Sequence, residues 1–454
     1  MRTQVNQIID PSKFNRFHFS LIFWCFLILV FDGYDVVIYG ATVPLLIEEW
    51  SLSPVTAGAI GSYTVVGTAL GAIIFGLAAD KIGRKRIILL CTVMFSLFTC
   101  LSGLANGPVM FTICRVIAGM GLGGVMPNVI ALAADYSPKS IRNAVIAFIF
   151  CGYSVGAILC SLLSKSLVLT VGWKPVYLLA GLPLFLIPLM IKMLPESTTS
   201  LLIKGKDEEL KKLLGKANPE YRPSKGEVFE KGEVQQAGSP VMKLFENGRG
   251  FSTVMFWIGI FSSFVLIYAM NTWLPKLMVQ AGYDLGSSLM FMVVMNVGAI
   301  FGAVTLGKLT DMWGFKKVLV PLYAVGALAI SFLGFKGNII LLYGLIFIVG
   351  AATVGAQNIV NAFVSQYYPA YIRSTGLGVS MGFGRIGGIV APILVGFLLS
   401  MNFPVQWNFL VISIAAVMAG IANALIQEKY AEYNKENQSI EVTKEEYGDS
   451  RKVM

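Results

Sequence analysis

Residues 76–86 read GLAADKIGRKR, and residues 307–317 read GKLTDMWGFKK. Aligned at an offset of 231 residues, the two stretches pair Asp80 with Asp311 and Gly83 with Gly314. Moving outward, the same register pairs Gly119 with Gly350, Gly124 with Gly355, Tyr136 with Tyr367 and Pro138 with Pro369. It also pairs Arg142 with Arg373 and Gly156 with Gly387. Matches spread this widely in one register mark an internal duplication. Each copy must then be read as half of one architecture.

Composition identifies the solvent of those halves. The chain has 454 residues, 56% hydrophobic and 13% charged, with mean hydropathy +0.72. Soluble domains lie nearer 45–50% apolar and about 25% charged. At roughly 20 residues per spanning helix, the apolar residues fill about a dozen membrane spans. A soluble enzyme, a disordered chain and a secreted disulfide scaffold are excluded. The net charge of +10 is carried by basic residues in short loops between apolar segments, so it reads as membrane orientation, with no nucleic-acid partner. Cys25, Cys91, Cys100, Cys114, Cys151 and Cys160 lie in or beside apolar runs without a CxxC pair. They read as packing residues, and no metal site or cofactor is expected.

Long apolar runs give twelve spans near 19–46, 55–79, 86–104, 109–134, 143–168, 173–194, 251–277, 286–309, 317–335, 338–364, 374–401 and 405–427. The first follows Lys13 and Arg16 and lacks a small-residue cleavage site, so it is a span and not a signal peptide. The expected organisation is an N-terminal segment (1–18), a six-helix bundle (19–194), a polar linker (195–250), a second six-helix bundle (251–427) and a charged tail (428–454). Linker and tail read as solvated. Basic residues concentrate on one side: Lys13, Arg16, Lys81, Arg84, Lys85, Arg86, Lys139, Arg142, the linker, Lys308, Lys316, Lys317 and Arg373. The opposite loops hold little beyond Lys174, Lys276 and Lys336. The positive-inside rule puts that first side, with both termini, in the cytoplasm of an inner-membrane protein. Six spans separate the copies, so both halves share one orientation and are related by a pseudo-two-fold along the membrane normal, with a cleft between them. The fold class expected is an all-α membrane protein.

Charges inside spans are costly and raise a functional question by default. Asp32, Asp35, Arg115 and Arg385 correspond at the repeat offset to Ser263, Leu266, Ile346 and Ser154. The duplicated scaffold therefore does not need these charges to fold. FDGYDVVIYG (31–40) sets Asp32 and Asp35 three apart on one helix face, with Tyr39 one turn on. Asp32 lies roughly 20 Å into its span. Two carboxylates this close in a poorly hydrated cleft repel, which raises at least one pKa toward neutrality and suits proton coupling. A structural acid bonded to backbone freed at Gly33 is the competing reading. In GRIGG (384–388), Arg385 either grips a substrate carboxylate with its planar fork or pairs with Asp32 or Asp35. The glycines of RVIAGMGLGGVMPN (115–128) read as helix packing. Arg115, Asn128, Asn296, Gln357, Asn358, Asn361, Tyr268 and Asn271 are candidate substrate contacts. The lone His18 sits at the membrane edge and reads as incidental.

GLAADKIGRKR fits the loop-2/3 signature of the major facilitator superfamily, and its second copy is degenerate, with Phe315 where the arginine would stand. DGYD, RVIAGMGLGGVMPN with ADYSP, GWKPVY (172–177), LPES (194–197), GAQN (355–358) and GFGRIGG together resemble the aromatic acid:proton symporter family over residues 14–427. The first-span wording is most similar to the benzoate branch. That resemblance implies an importer of benzoate-like aromatic carboxylates, coupled to protons through Asp32 and Asp35 and working by alternating access. It also implies a gate built on Asp80, Arg84, Asp135 and Asp311 that sets inward against outward opening. The family commonly has glutamate where Asp135 stands, one methylene longer, so Asp135 is expected to pair less well with Arg84 or Arg86. The expected partners are a small aromatic carboxylate, protons and the lipid bilayer, with the chain acting as a monomer. The alternatives are a carrier of another small organic acid (sialate, nicotinate or a dicarboxylate) and, from another class, a membrane enzyme or receptor. No HExxH, nucleophile elbow or His/Cys cluster supports the enzyme, so no catalytic residue is expected.

Overall fold

The computed structural model describes residues 2–223, 228–229, 241–369 and 371–433; the side chain of Asp80 lies outside the described part. Twelve helices among these residues are long and apolar enough to cross a membrane. They are α1 (Arg16–Glu49), α2 (Pro54–Ile82), α3 (Arg84–Ser102), α4 (Pro108–Tyr136), α5 (Arg142–Val168) and α6 (Lys174–Met193). The second set is α7 (Gly250–Gln280), α8 (Leu285–Trp313), α9 (Phe315–Phe332), α10 (Ile339–Tyr367), α11 (Arg373–Ser400) and α12 (Val405–Leu425). Every end lies within four residues of the segment read from hydropathy. The protein is a multi-pass, nearly all-helical membrane protein.

Local chemistry starts and stops these helices. Ser53 accepts from Thr56 N and is followed by Pro54, whose missing N–H falls where the helix has no acceptor for one. Asn15 and His18 cap α1 reciprocally through side chain and backbone. The duplicated motif has a conformational cause. Gly83 (φ 109°) joins α2 to α3, and Gly314 (φ 85°) joins α8 to α9. Both turns need a positive φ that side chains rarely adopt.

The chain forms two compact units. The first comprises Met1–Val234, Ala269–Val297 and Ile389–Val405, the second Gln235–Tyr268, Gly298–Gly388 and Gln406–Met454. In the first, α2 packs along α4, α1 along α5 and α3 along α4. Lipid tails are as apolar as leucine, so these helices associate through close backbone approach more than through the hydrophobic effect. A Cβ on Gly71 would fall 1.9 Å from the Met120 carbonyl oxygen, and one on Gly123 1.9 Å from that of Thr68. In the second unit, two π turns interrupt α8 (Gly302–Leu306) and α10 (Ala351–Gly355). They face each other, with a Cβ on Gly302 only 2.8 Å from Ala351 Cα. The counterpart positions of α2 and α4 are ordinary α-helix.

The described part of the linker carries two short helices. Helix Thr198–Ile203 buries Leu201, and helix Asp207–Ala217 buries Leu210, Leu214 and Ala217. The second of these (DEELKKLLGKA) carries a helical apolar stripe that its average polarity conceals. Acids in its first turn and Lys216 in its last suit the helix dipole. The N-terminal segment docks on it. Strand β1 (Arg2–Thr3) pairs in parallel with β2 (Val228–Phe229), and helix Val5–Ile9 buries Val5, Ile8 and Ile9. Asn15 Nδ2 donates to the Lys216 and Ala217 carbonyls, and Asn218 Nδ2 to that of Ile8. Asp10 pairs with Arg142 at 2.6 Å, which fastens the strap to the start of α5. The tail beyond residue 433 lies outside the described residues.

Candidate functional site

Two of the intramembrane charges neutralise each other. Asp35 on α1 and Arg115 on α4 are both essentially inaccessible, and Arg115 Nη1 meets Asp35 Oδ1 at 2.7 Å. Arg115 Nη1 also donates to Thr99 Oγ1 at 3.2 Å, and Nη2 to the Asp35 carbonyl at 3.3 Å. The Thr99 hydroxyl of α3 donates to the second oxygen of Asp35. Three helices thus meet on one carboxylate. Asp32, one turn earlier, is buried as well. Close approach of α1 to α5 sets this register, since a Cβ at Gly33 would lie 1.8 Å from the Tyr153 carbonyl oxygen. Thr99 was not singled out from the sequence; a hydroxyl within an apolar span gives no signal until a charge is known to face it.

Beyond the pair, α1 runs into an aromatic wall. Phe111 packs against Tyr39, Trp50, Trp173 and Tyr177 with ring centroids 5.4–6.1 Å apart. The Tyr39 hydroxyl donates to the Ala57 carbonyl at 2.5 Å, so its polar end is already engaged. Tyr177 shares a hydrogen bond with Thr42 at 3.0 Å. Asn128 and Asn296 each donate to the carbonyl four residues back on their own helix, Gly124 and Met292. Asn271 is buried, with Oδ1 lacking a partner among the described residues.

At the α2–α3 turn, Arg84 Nη1 meets Asp135 Oδ1 at 2.9 Å, so the shorter acid does reach its arginine. Glu196 of LPES completes the cluster. It accepts from Lys85 N at 3.2 Å at the start of α3, and its carboxylate occupies the space a side chain at Gly83 would need. Tyr136 donates to the Glu196 carbonyl at 2.6 Å. Asp311 is exposed and forms no ion pair among the described residues, and Gly314 has no neighbour corresponding to Glu196.

In the second unit the polar candidates gather on α10 and α11. Gln357 lies two residues past the Ala351–Gly355 π turn and is buried. Its Nε2 donates to Asn361 Oδ1 at 2.8 Å and lies 4.0 Å from Met381 Sδ on α11. Its Oε1 is buried without a partner among the described residues. Asn358 and Tyr268 are half-buried, and the Tyr268 ring lies 6.0 Å from Phe264. Arg385, one turn beyond Met381, is half-buried and has neither a hydrogen bond nor an ion pair among the described residues.

Comparison with known proteins decides the family. The profile of the Major Facilitator Superfamily matches residues 25–390 and again 292–446. The chain belongs to the Major Facilitator Superfamily. Among relatives, it is 43% identical to a benzoate transport protein of Acinetobacter baylyi, over 94% of this chain and 93% of that one. It is 32% identical to a gentisate transporter of Corynebacterium glutamicum, over 89% and 86%. Solved facilitators share the fold at low identity. The xylose transporter XylE from E. coli superposes with a TM-score of 0.67 at 19% identity, covering 89% of this chain and 98% of that one. The nucleoside transporter NupG superposes with a TM-score of 0.70 at 14% identity, covering 90% and 100%.

Proposed function

We propose that this facilitator imports benzoate-like aromatic monocarboxylates by proton symport across the inner membrane, with both termini cytoplasmic and without enzymatic activity. The observation that carries the reading is Arg385: a guanidinium half-buried in a membrane-spanning helix with no partner among the described residues. Arginine remains charged at any physiological pH, and a planar carboxylate satisfies its fork with two parallel bonds. The names of the relatives support an aromatic acid as the bearer of that carboxylate.

The acid pair of α1 carries the coupled proton. Asp32 is the member that exchanges it, because protonating Asp35 would strand the buried charge of Arg115. The Arg84–Asp135 pair, steadied by Glu196 beside it, biases the opening of the chain toward one side. The test is uptake of labelled benzoate into proteoliposomes holding the purified protein. An inward proton gradient should drive accumulation above equilibrium, and a protonophore should collapse it. Accumulation that survives the protonophore rules out symport; absence of any aromatic-acid flux rules out the substrate class.

A further inference from the structure

Three polar residues of the second unit stand where the first half has two apolar residues and a serine. Gln357, Asn361 and Arg385 correspond at the repeat offset to Met126, Ile130 and Ser154. The scaffold folds without them in one copy, so their role in the other is not architectural. The α10 backbone ahead of them differs too: Ala351–Gly355 is a π turn, a feature that re-aims the residues following it and recurs at functional positions.

Their hydrogen-bonding capacities are complementary and unfilled. Arg385 offers only donors and has no acceptor among the described residues. Gln357 gives one amide N–H to Asn361, and its Oε1 is a buried acceptor without a donor among the described residues. Gln357 touches α11 at Met381, and Arg385 lies four residues along, on the same face. One helical turn is about 5.4 Å, the scale of a benzene ring between two substituents. A ligand that fills both needs must present an anion at one end and a neutral O–H donor at the other. Benzoate supplies the first and not the second.

We propose that Gln357 is a specificity-determining residue: its Oε1 accepts the hydrogen of a ring hydroxyl while Arg385 holds the carboxylate, so the preferred substrates are hydroxybenzoates. This rests on the transport reading above and narrows it. A site built to bond a hydroxyl discriminates against the analogue lacking it, because its own buried polar atom is then left unpaired.

The experiment is competition in proteoliposomes, with labelled benzoate and labelled 4-hydroxybenzoate as tracers and unlabelled benzoate, 3-hydroxybenzoate and 4-hydroxybenzoate as competitors. The protein should take at least one hydroxybenzoate with a half-inhibitory concentration about tenfold or more below that of benzoate. Gln357→Met, which installs the residue of the matching position in the other half, should bring that ratio close to one. Equal competition by all three acids in the unaltered protein overturns the proposal, whether or not the variant folds. So does a ratio that survives Gln357→Met. Uptake of neither tracer overturns the transport reading itself, and this proposal with it.

Discussion

Replacing Arg115 with glutamine would leave the Asp35 carboxylate enclosed among α1, α3 and α4 with only the Thr99 hydroxyl for company. Both members of the native pair are 1% exposed and their closest atoms stand 2.7 Å apart. At a separation of roughly 4 Å between charge centres, an effective dielectric near 20 gives an attraction of about 4 kcal/mol. Desolvation of two ions offsets much of that gain, so the intact pair adds little net stability. Breaking it is another matter. One uncompensated buried charge costs about 3–5 kcal/mol, and Arg115→Gln should lose close to that amount. The double variant Asp35→Asn/Arg115→Gln removes both charges and should recover most of the loss, ending within about 1.5 kcal/mol of the starting protein. Unfolding in mixed micelles with increasing SDS, followed by tryptophan fluorescence, gives the three stabilities on one scale. A single variant as stable as the parent refutes the reasoning. So does a double variant no more stable than Arg115→Gln.

Asp32→Asn should abolish accumulation of benzoate against a gradient while exchange across the membrane survives; accumulation at the parental level would return Asp32 to a structural role. Arg385→Lys should weaken benzoate binding by about 1.5–3 kcal/mol, one to two decades, and Arg385→Ala should remove measurable uptake from a protein still inserted. Benzamide should compete poorly with benzoate, and equal competition would move the carboxylate anchor elsewhere. Arg84→Ala removes a partly exposed pair worth about 1 kcal/mol, roughly a fivefold change in a two-state ratio. Cysteine labelling from the two faces should register that change, and unchanged labelling with unchanged transport leaves the motif a topological role. Gly123→Ala sets a methyl against the backbone of α2 and should cost about 1–3 kcal/mol in the same SDS titration; a variant of parental stability would mean α2 and α4 separate freely.

The spans were legible because hydropathy and helix ends are local properties. Long apolar runs bounded by Pro54, Gly83 or Asn15 need no knowledge of the rest of the chain. The duplicated turn was legible for a similar reason, as Gly83 and Gly314 are residues the backbone itself demands. Pairing was harder to read. Breaks in the repeat flagged Asp35 and Arg115 separately, yet their ion pair depends on how α1, α3 and α4 cross, which no periodicity encodes. The helices of the linker were missed because ten basic residues between 195 and 250 masked the stripe of Leu210, Leu214 and Ala217. The π turns left no trace in composition, and only the contrast with ordinary α-helix at the counterpart positions of α2 and α4 brings them out.

The docking of the first residues on the linker has a consequence for biogenesis. β1 at Arg2–Thr3 finds its partner only at Val228–Phe229. At about 5–20 residues per second of synthesis, that partner leaves the ribosome roughly 10–45 s after the N-terminus does. Six spans are made in the interval. For most of it Val5, Ile8 and Ile9, buried in the finished protein, have no linker helix to cover them. The same delay makes the first half and the linker behind it one folding unit in time. A ribosome stalled after α6 holds a chain with its first six spans made and its clasp open. A chain extended far enough for β2 to clear the ribosome can close it.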